Sequence, residues 1–300
     1  MKKAFTMLEL VMVMVIMGIV ASIGAEIIAS MYSNYLRSRT INRLESQTEI
    51  TLEQIAKRLQ YRIKGSVIAR DVVGGNILSL ADPNVGSSYN VLEWIGASNE
   101  SLLGTPRPGW SGFIDLENNN TNRTAGTLKT SESNLTDAAN TISALTDGDI
   151  DLSNGKEAAI IFKGISYNMA DFGWGSPNNS DGSALHKVSV GATSDILTIS
   201  NDANPTPTEI TEQYTLAHTA YAIVPSNTNS TDFNLTLHYN YQPWDSEEYT
   251  DGNTSVLAEH ASLFRFKQDE SILRLKLCLH DANLTGVGDI IVVCKEKVIY

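Results

Sequence analysis

Cysteine is scarce in this chain of 300 residues: Cys278 and Cys294 are the full complement, and no Cys-x-x-Cys occurs. Zinc-ribbon and thioredoxin-type redox chemistry therefore have no ligands to work with. Clustered cations are missing too. Lys and Arg never run beyond a pair, as in Lys2-Lys3, and 22 of them against 34 Asp+Glu leave a net charge of -12. A general grip on nucleic acid needs concentrated positive charge, so no such partner is expected. Catalytic patterns are equally thin. His186, His218, His238, His260 and His280 are spread along the chain without metal-ligand spacing. Gly109-Trp110-Ser111-Gly112 lacks the second glycine of a nucleophile elbow at the required offset. There is no Walker loop and no G-x-G-x-x-G, so nothing in the sequence proposes an enzyme.

What the chain does have stands at its start. MKKAFTMLELVMVMVIMGIVASIGAEII is a short basic head followed by an apolar run from Phe5 to about Ile28, interrupted by Glu9. One reading is a secretory signal cut after Ala25. A second is an uncleaved anchor, since the run just reaches the ~20 residues that span a bilayer. Neither accounts for Glu9, because a carboxylate inside a membrane helix is disfavoured by roughly 2.5 to 3.5 kcal/mol even on the lenient insertion scale.

A third reading gives Glu9 a task. Lys2-Lys3-Ala4-Phe5-Thr6-Met7-Leu8-Glu9 resembles the N-terminus of type IV pilins and of the pseudopilins of type II secretion, where a short basic leader and a small residue precede F-T-L-I-E and an apolar helix. The resemblance implies cleavage by a prepilin peptidase between Ala4 and Phe5, then N-methylation of Phe5. It also implies pairing of the Glu9 carboxylate with the terminal ammonium of a neighbouring pilin or pseudopilin subunit during assembly. Such a pair in a low-dielectric helix bundle would offset the burial of both charges. Two departures stand out: Ala4 occupies the usual glycine position, and Glu26 stands where many major pilins carry proline. Without that proline the helix should run on unkinked.

Beyond the apolar run, Ile41, Leu44, Thr48, Leu52, Ile55, Leu59 and Ile63 form a stripe at helical spacing. Gly65, preceded by Arg62 and Lys64, suits a helix end. A rod from Phe5 to Lys64 would measure roughly 90 Å at about 1.5 Å per residue. The expected organisation is a leader at 1–4, a transmembrane or filament-core helix at 5–29, its soluble half at 30–64, and a β-rich extracytoplasmic domain at 65–300. In that domain 67–69, 77–80, 89–95, 157–167, 188–199, 214–224 and 233–241 read as strands, while the Asn-, Thr- and Ser-rich stretch 96–156 reads as surface loops and short edge elements. The fold class is α+β, a long N-terminal helix against a mainly antiparallel sheet.

Three strand candidates close the chain, at 263–267, 272–279 and 289–299. Leu273, Leu275, Leu277 and Leu279 alternate with Arg274, Lys276 and Cys278, the period of a half-buried strand. Folding the last two strands back about residue 286 sets Cys278 opposite Cys294, in position for a disulfide in an oxidising compartment; two buried free thiols are the alternative. No cofactor is expected. Calcium at Asp147, Asp149 and Asp151 is the one candidate, although the loop lacks an EF-hand's turn glycine and closing glutamate. Asn134, Asn234, Asn253 and Asn283 each carry an acidic residue two before and a hydroxyl two after, which resembles an extended bacterial N-glycosylation acceptor. The expected function is a minor pilin or pseudopilin subunit in the bacterial inner membrane, its domain in the periplasm and later on a filament. Its partners would be prepilin peptidase, other subunits and inner-membrane lipid. The alternative is a membrane-anchored binding protein or adhesin that never polymerises.

Overall fold

A computed structural model describes residues 6–72, 75–153, 157–174, 184–200, 207, 209–229, 231–281 and 290–300, with the side chains of 227–229 left aside. Its first element, α1 (Met7–Gln60), has 54 residues and is about 80 Å long at ~1.5 Å per residue. Leu44, Thr48, Thr51, Leu52, Ile55, Ala56 and Leu59 are its buried positions, so the stripe read from the sequence is the face that meets the domain from Leu44 to Leu59, while Ile63 lies past the helix and packs with the cluster on the sheet's other face. The helix stops at Gln60, four residues short of the expected Lys64, because pairing with a strand competes for the backbone. Ala97 N–H donates to Tyr61 O at 2.9 Å and Ile63 N–H to Ile95 O at 2.9 Å, drawing the chain out of the helix before Gly65.

Four short 3-10 turns aside, the remaining described elements are β1 (Ile68–Asp71), β2 (Ile77–Ser79), β3 (Tyr89–Gly96), β4 (Thr127–Lys129), α2 (Leu135–Leu145), β5 (Ala158–Phe162), β6 (His186–Val190), β7 (Ile196–Ile199), β8 (Tyr214–Ala217), β9 (Thr219–Asn229), β10 (Asp232–Tyr241), β11 (Asn253–Asp269), β12 (Ile272–His280) and β13 (Val292–Ile299). Among the described residues they form an eight-stranded sheet, β13-β12-β11-β10-β9-β3-β1-β2, and a five-stranded sheet, β4-β7-β6-β5-β8. Every pairing is antiparallel. The architecture is α+β, with a mostly β domain.

Three apolar clusters stack these layers. α1 packs through Leu44, Leu52, Ile55 and Leu59 on one face of the larger sheet, where Leu92, Trp94, Leu235, Leu275 and Leu277 meet it. The opposite face presents Ile68, Val91, Ile95, Ala220 and Ala222 to Ala159, Ile161 and Ala217 of the smaller sheet, with Trp174 and Trp244 filling between. Under the smaller sheet, Ile160, Phe162, Leu197 and Leu216 receive Leu135, Ala138, Ala139 and Ile142 of α2. β3 is buried on both faces as a consequence, and its inward Glu93 is fully enclosed.

The sequence reading is corrected in three places. Besides the expected short edge element, β4, the polar stretch 96–156 contains a helix, α2, because a few apolar residues at i, i+3, i+4 and i+7 suffice to seat it. The run 188–199 is the hairpin β6–β7 rather than one strand, turning where Gly191 N–H donates to Ile196 O at 2.7 Å; a Cβ on Gly191 would lie 2.7 Å from the Ile196 side chain. The run 214–224 divides at His218, which carries the chain from the smaller sheet into the larger.

Candidate functional site

At the beginning of α1 the local chemistry is a capping box. Thr6 is the N-cap, its hydroxyl accepts from Glu9 N–H at 3.4 Å, and Glu9 Oε2 accepts from Thr6 N–H at 3.1 Å and from the Thr6 hydroxyl at 2.9 Å. Reciprocal bonds of this kind satisfy backbone donors that the first helical turn leaves free. Glu9 therefore has a partner within its own chain. The cleavage pair, Ala4 and Phe5, lies outside the described residues.

From Met7 to Leu36 the helix leaves the domain with apolar side chains on every side, among them Leu10, Val11, Met14, Ile16, Ile19 and Ile23, all at least half exposed. It is long and apolar enough to cross a membrane, with a mean hydropathy of 2.4 over its most apolar 18-residue window. Apolar surface on this scale, rarely left to water, calls for lipid or other helices around it.

The domain is fixed to the helix by matched spacing. Lys295 Nζ meets Glu49 Oε2 at 2.9 Å and Lys297 Nζ meets Glu53 Oε2 at 2.5 Å. Four helical residues advance about 6 Å, and two strand residues about 6.6 Å, so the two ladders stay in step. Lys295 holds the Glu49 carboxyl below its ordinary range, and Glu53 holds the Lys297 ammonium above its own. Arg43, near the first buried turn, reaches Asp281 at 2.9 Å. On the other face of β13, Cys278 and Cys294 stand in register and are joined by a disulfide, as the sequence arithmetic expected.

The other sequence candidates make the following contacts. Asp149 Oδ2 accepts from Asn240 Nδ2 at 2.8 Å and Asp151 Oδ1 from Ser153 N–H at 2.9 Å, while Asp147 occupies a left-handed turn position with φ 53°. The three carboxylates do not converge as a ligand set. The Ser111 hydroxyl donates to Phe113 O at 3.2 Å, and a Cβ on Gly109 would lie 2.0 Å from Ser101 O; the near-elbow is a tight structural turn. Of the four acceptor-like asparagines, Asn134 stands at the N-cap position of α2 without a side-chain capping bond and donates its amide to Asp137 Oδ2 at 2.5 Å, Asn234 lies on β10, Asn253 begins β11, and Asn283 lies outside the described residues.

Two constellations were not visible in the sequence. Ser98 Oγ lies 2.8 Å from His218 Nδ1 and 2.6 Å from Ser101 Oγ, and burial pulls the His218 imidazole down to about 4. Ser98 is fully enclosed. The second is a meeting of His260 and His280 with Asp232 on three neighbouring strands. Antiparallel registers, not sequence spacing, bring these residues together. A cleft of about 910 Å³ also opens beside the end of α1, walled by Tyr61, Trp110, Phe113, Tyr167 and Phe172. Comparison with family models, with curated proteins and with solved structures finds no match to this chain.

Proposed function

We propose that the chain is a minor subunit of a type IV pilus-like or type II secretion filament, inserted in the bacterial inner membrane through α1 and assembled by transfer of that helix into a bundle of like helices. The observation that carries this reading is the exposed apolar half of α1, continuous with a rigidly docked half. A lipid anchor alone needs ~20 residues. α1 extends as one rod well past that length before it reaches the domain, as helix-on-helix stacking along a shaft requires. Prepilin peptidase would expose Phe5, next to the Thr6–Glu9 box, so the new ammonium and the carboxylate would share one end of the helix. Glu9 would then close the first turn of its own helix and attract the amino terminus of a neighbour. A domain of several stacked layers is bulky for a dense shaft, which favours a tip or priming position. The cleft beside α1 supports a second reading, a tethered binding protein that does not polymerise.

Capping and docking are separable by substitution. Gln at the third helical position still completes a capping box but carries no charge. Glu9→Gln should therefore preserve insertion and helix content while abolishing recovery of the subunit in sheared filament fractions. Filament recovery equal to that of the wild type would remove the docking role and leave the capping role alone.

A further inference from the structure

The geometry points to a divalent transition-metal site formed by Asp232, His260 and His280, of the class that takes Zn²⁺. The three residues sit at the start of β10, within β11 and at the end of β12, on adjacent strands of the larger sheet. One ligand atom from each lies within 4.8 Å of the others. His260 Nδ1 is 3.1 Å from Asp232 Oδ1, and His280 Nε2 is 3.3 Å from the same oxygen. Bonds of about 2.0 Å in a tetrahedral centre put neighbouring ligand atoms roughly 3.3 Å apart, so the two edges already have the required length.

His280 is prepared as a ligand. Its side chain is only 10 % exposed, and Nδ1 lies 3.4 Å from the Asp281 carbonyl, which can only accept, so the proton belongs on Nδ1. That leaves the lone pair on Nε2, which faces the cluster without a hydrogen bond of its own. A backbone carbonyl orienting the far ring nitrogen is the usual support of a metal-bound imidazole. His260 is placed by backbone distortion. Its φ of 56° lies in the left-handed region; the pairing of β11 with β10 slips across it, between Ala258 and Ala261, and the pairing with β12 slips just beyond it, between Ala261 and Leu263, where its imidazole meets Asp232 and His280. A non-glycine residue held there costs free energy that ordinary sheet pairing would avoid. Two imidazoles and a carboxylate suit Zn²⁺, Cu²⁺ or Ni²⁺ rather than Ca²⁺ or Mg²⁺. The ion would fasten three strands together next to Asp281, whose carboxylate holds Arg43 of α1.

The test uses the full chain purified in detergent without a polyhistidine tag. Co²⁺ titration read by visible absorption, followed by displacement with Zn²⁺, should give one ion per chain, with the intense bands of a four- or five-coordinate centre. His280→Gln and the more exposed His260→Asn should each weaken binding by at least about 100-fold, beyond what loss of an orienting partner alone costs. His238→Gln, whose imidazole contacts Tyr249 O instead, should bind as the wild type does. Absence of Zn²⁺ binding by the wild type below about 100 µM, only the weak bands of an octahedral hydrated ion, or unchanged affinity in both cluster variants would overturn the assignment.

Discussion

His218 shows what one enclosed side chain does at a corner of the fold. It stands where the chain leaves β8 for β9, its ring on Ser98 and its carbonyl accepting from Gln242 Nε2 at 3.1 Å. Burial depresses its pKa from 6.5 to about 4, so the folded state holds the imidazole neutral over a range in which the unfolded chain protonates it. The stabilisation is complete above pH 6.5 and drains away as pH falls toward 4. By linkage, unfolding at pH 5 should require about 2 kcal/mol less than at pH 7 on account of this residue. Denaturant melts of His218→Asn should lose that part of the pH dependence; an undiminished slope would show that other groups cause it. Glu93 is a different case. It lies enclosed between the sheets, raised by burial, and is held by Arg70 and by Tyr241 Oη at 3.2 Å. Removing one partner of such a pair costs about 3 to 5 kcal/mol, because the other is left buried and charged. At Glu9 the sequence posed the right question, but the capping answer needed coordinates: Thr6-x-x-Glu9 matches the capping-box pattern once the helix is known to start at Met7.

α1 is the element on which the rest depends. Its ion pairs with β13 are solvent-exposed and screened, so they set alignment more than stability. The apolar stripe decides the energetics. Leu52, 1 % exposed in the cluster beneath α1, should lose about 2 to 5 kcal/mol on change to Ala. Denaturation of the detergent-solubilised variant should show that loss. A change under 1 kcal/mol would mean that the helix is not seated as described. This stripe was legible because its 3.6-residue period persists for many turns, and β12 was legible because Leu273 to Leu279 alternate without a break. The division at His218 was not legible. An apolar run gives no sign of which sheet each half will join, since both halves are equally buried. α2 was obscured for the converse reason, with four apolar anchors diluted by Asn, Thr and Ser. The meeting of Asp232, His260 and His280 depends on slips in strand register, which composition does not encode.

As a whole molecule the chain is a rod with a layered domain clamped along one half. Three clusters, two antiparallel sheets and a cross-strand disulfide make the domain a firm load at the end of the helix, while the other half of the rod exposes mainly apolar surface. Under the proposed role, that division of labour would let the helix leave a bilayer and enter a helical core without rearranging the domain. For that assembly a leader ahead of Phe5 would have to be removed, because the Phe5 nitrogen is a neutral amide until it becomes the chain's first residue and only then offers an ammonium to a neighbour's carboxylate. The decisive measurement is intact-mass and N-terminal analysis of the protein recovered from its native membranes. The account predicts a chain beginning at a methylated Phe5; a chain that retains Met1 to Ala4, or begins after Ala25, would contradict it.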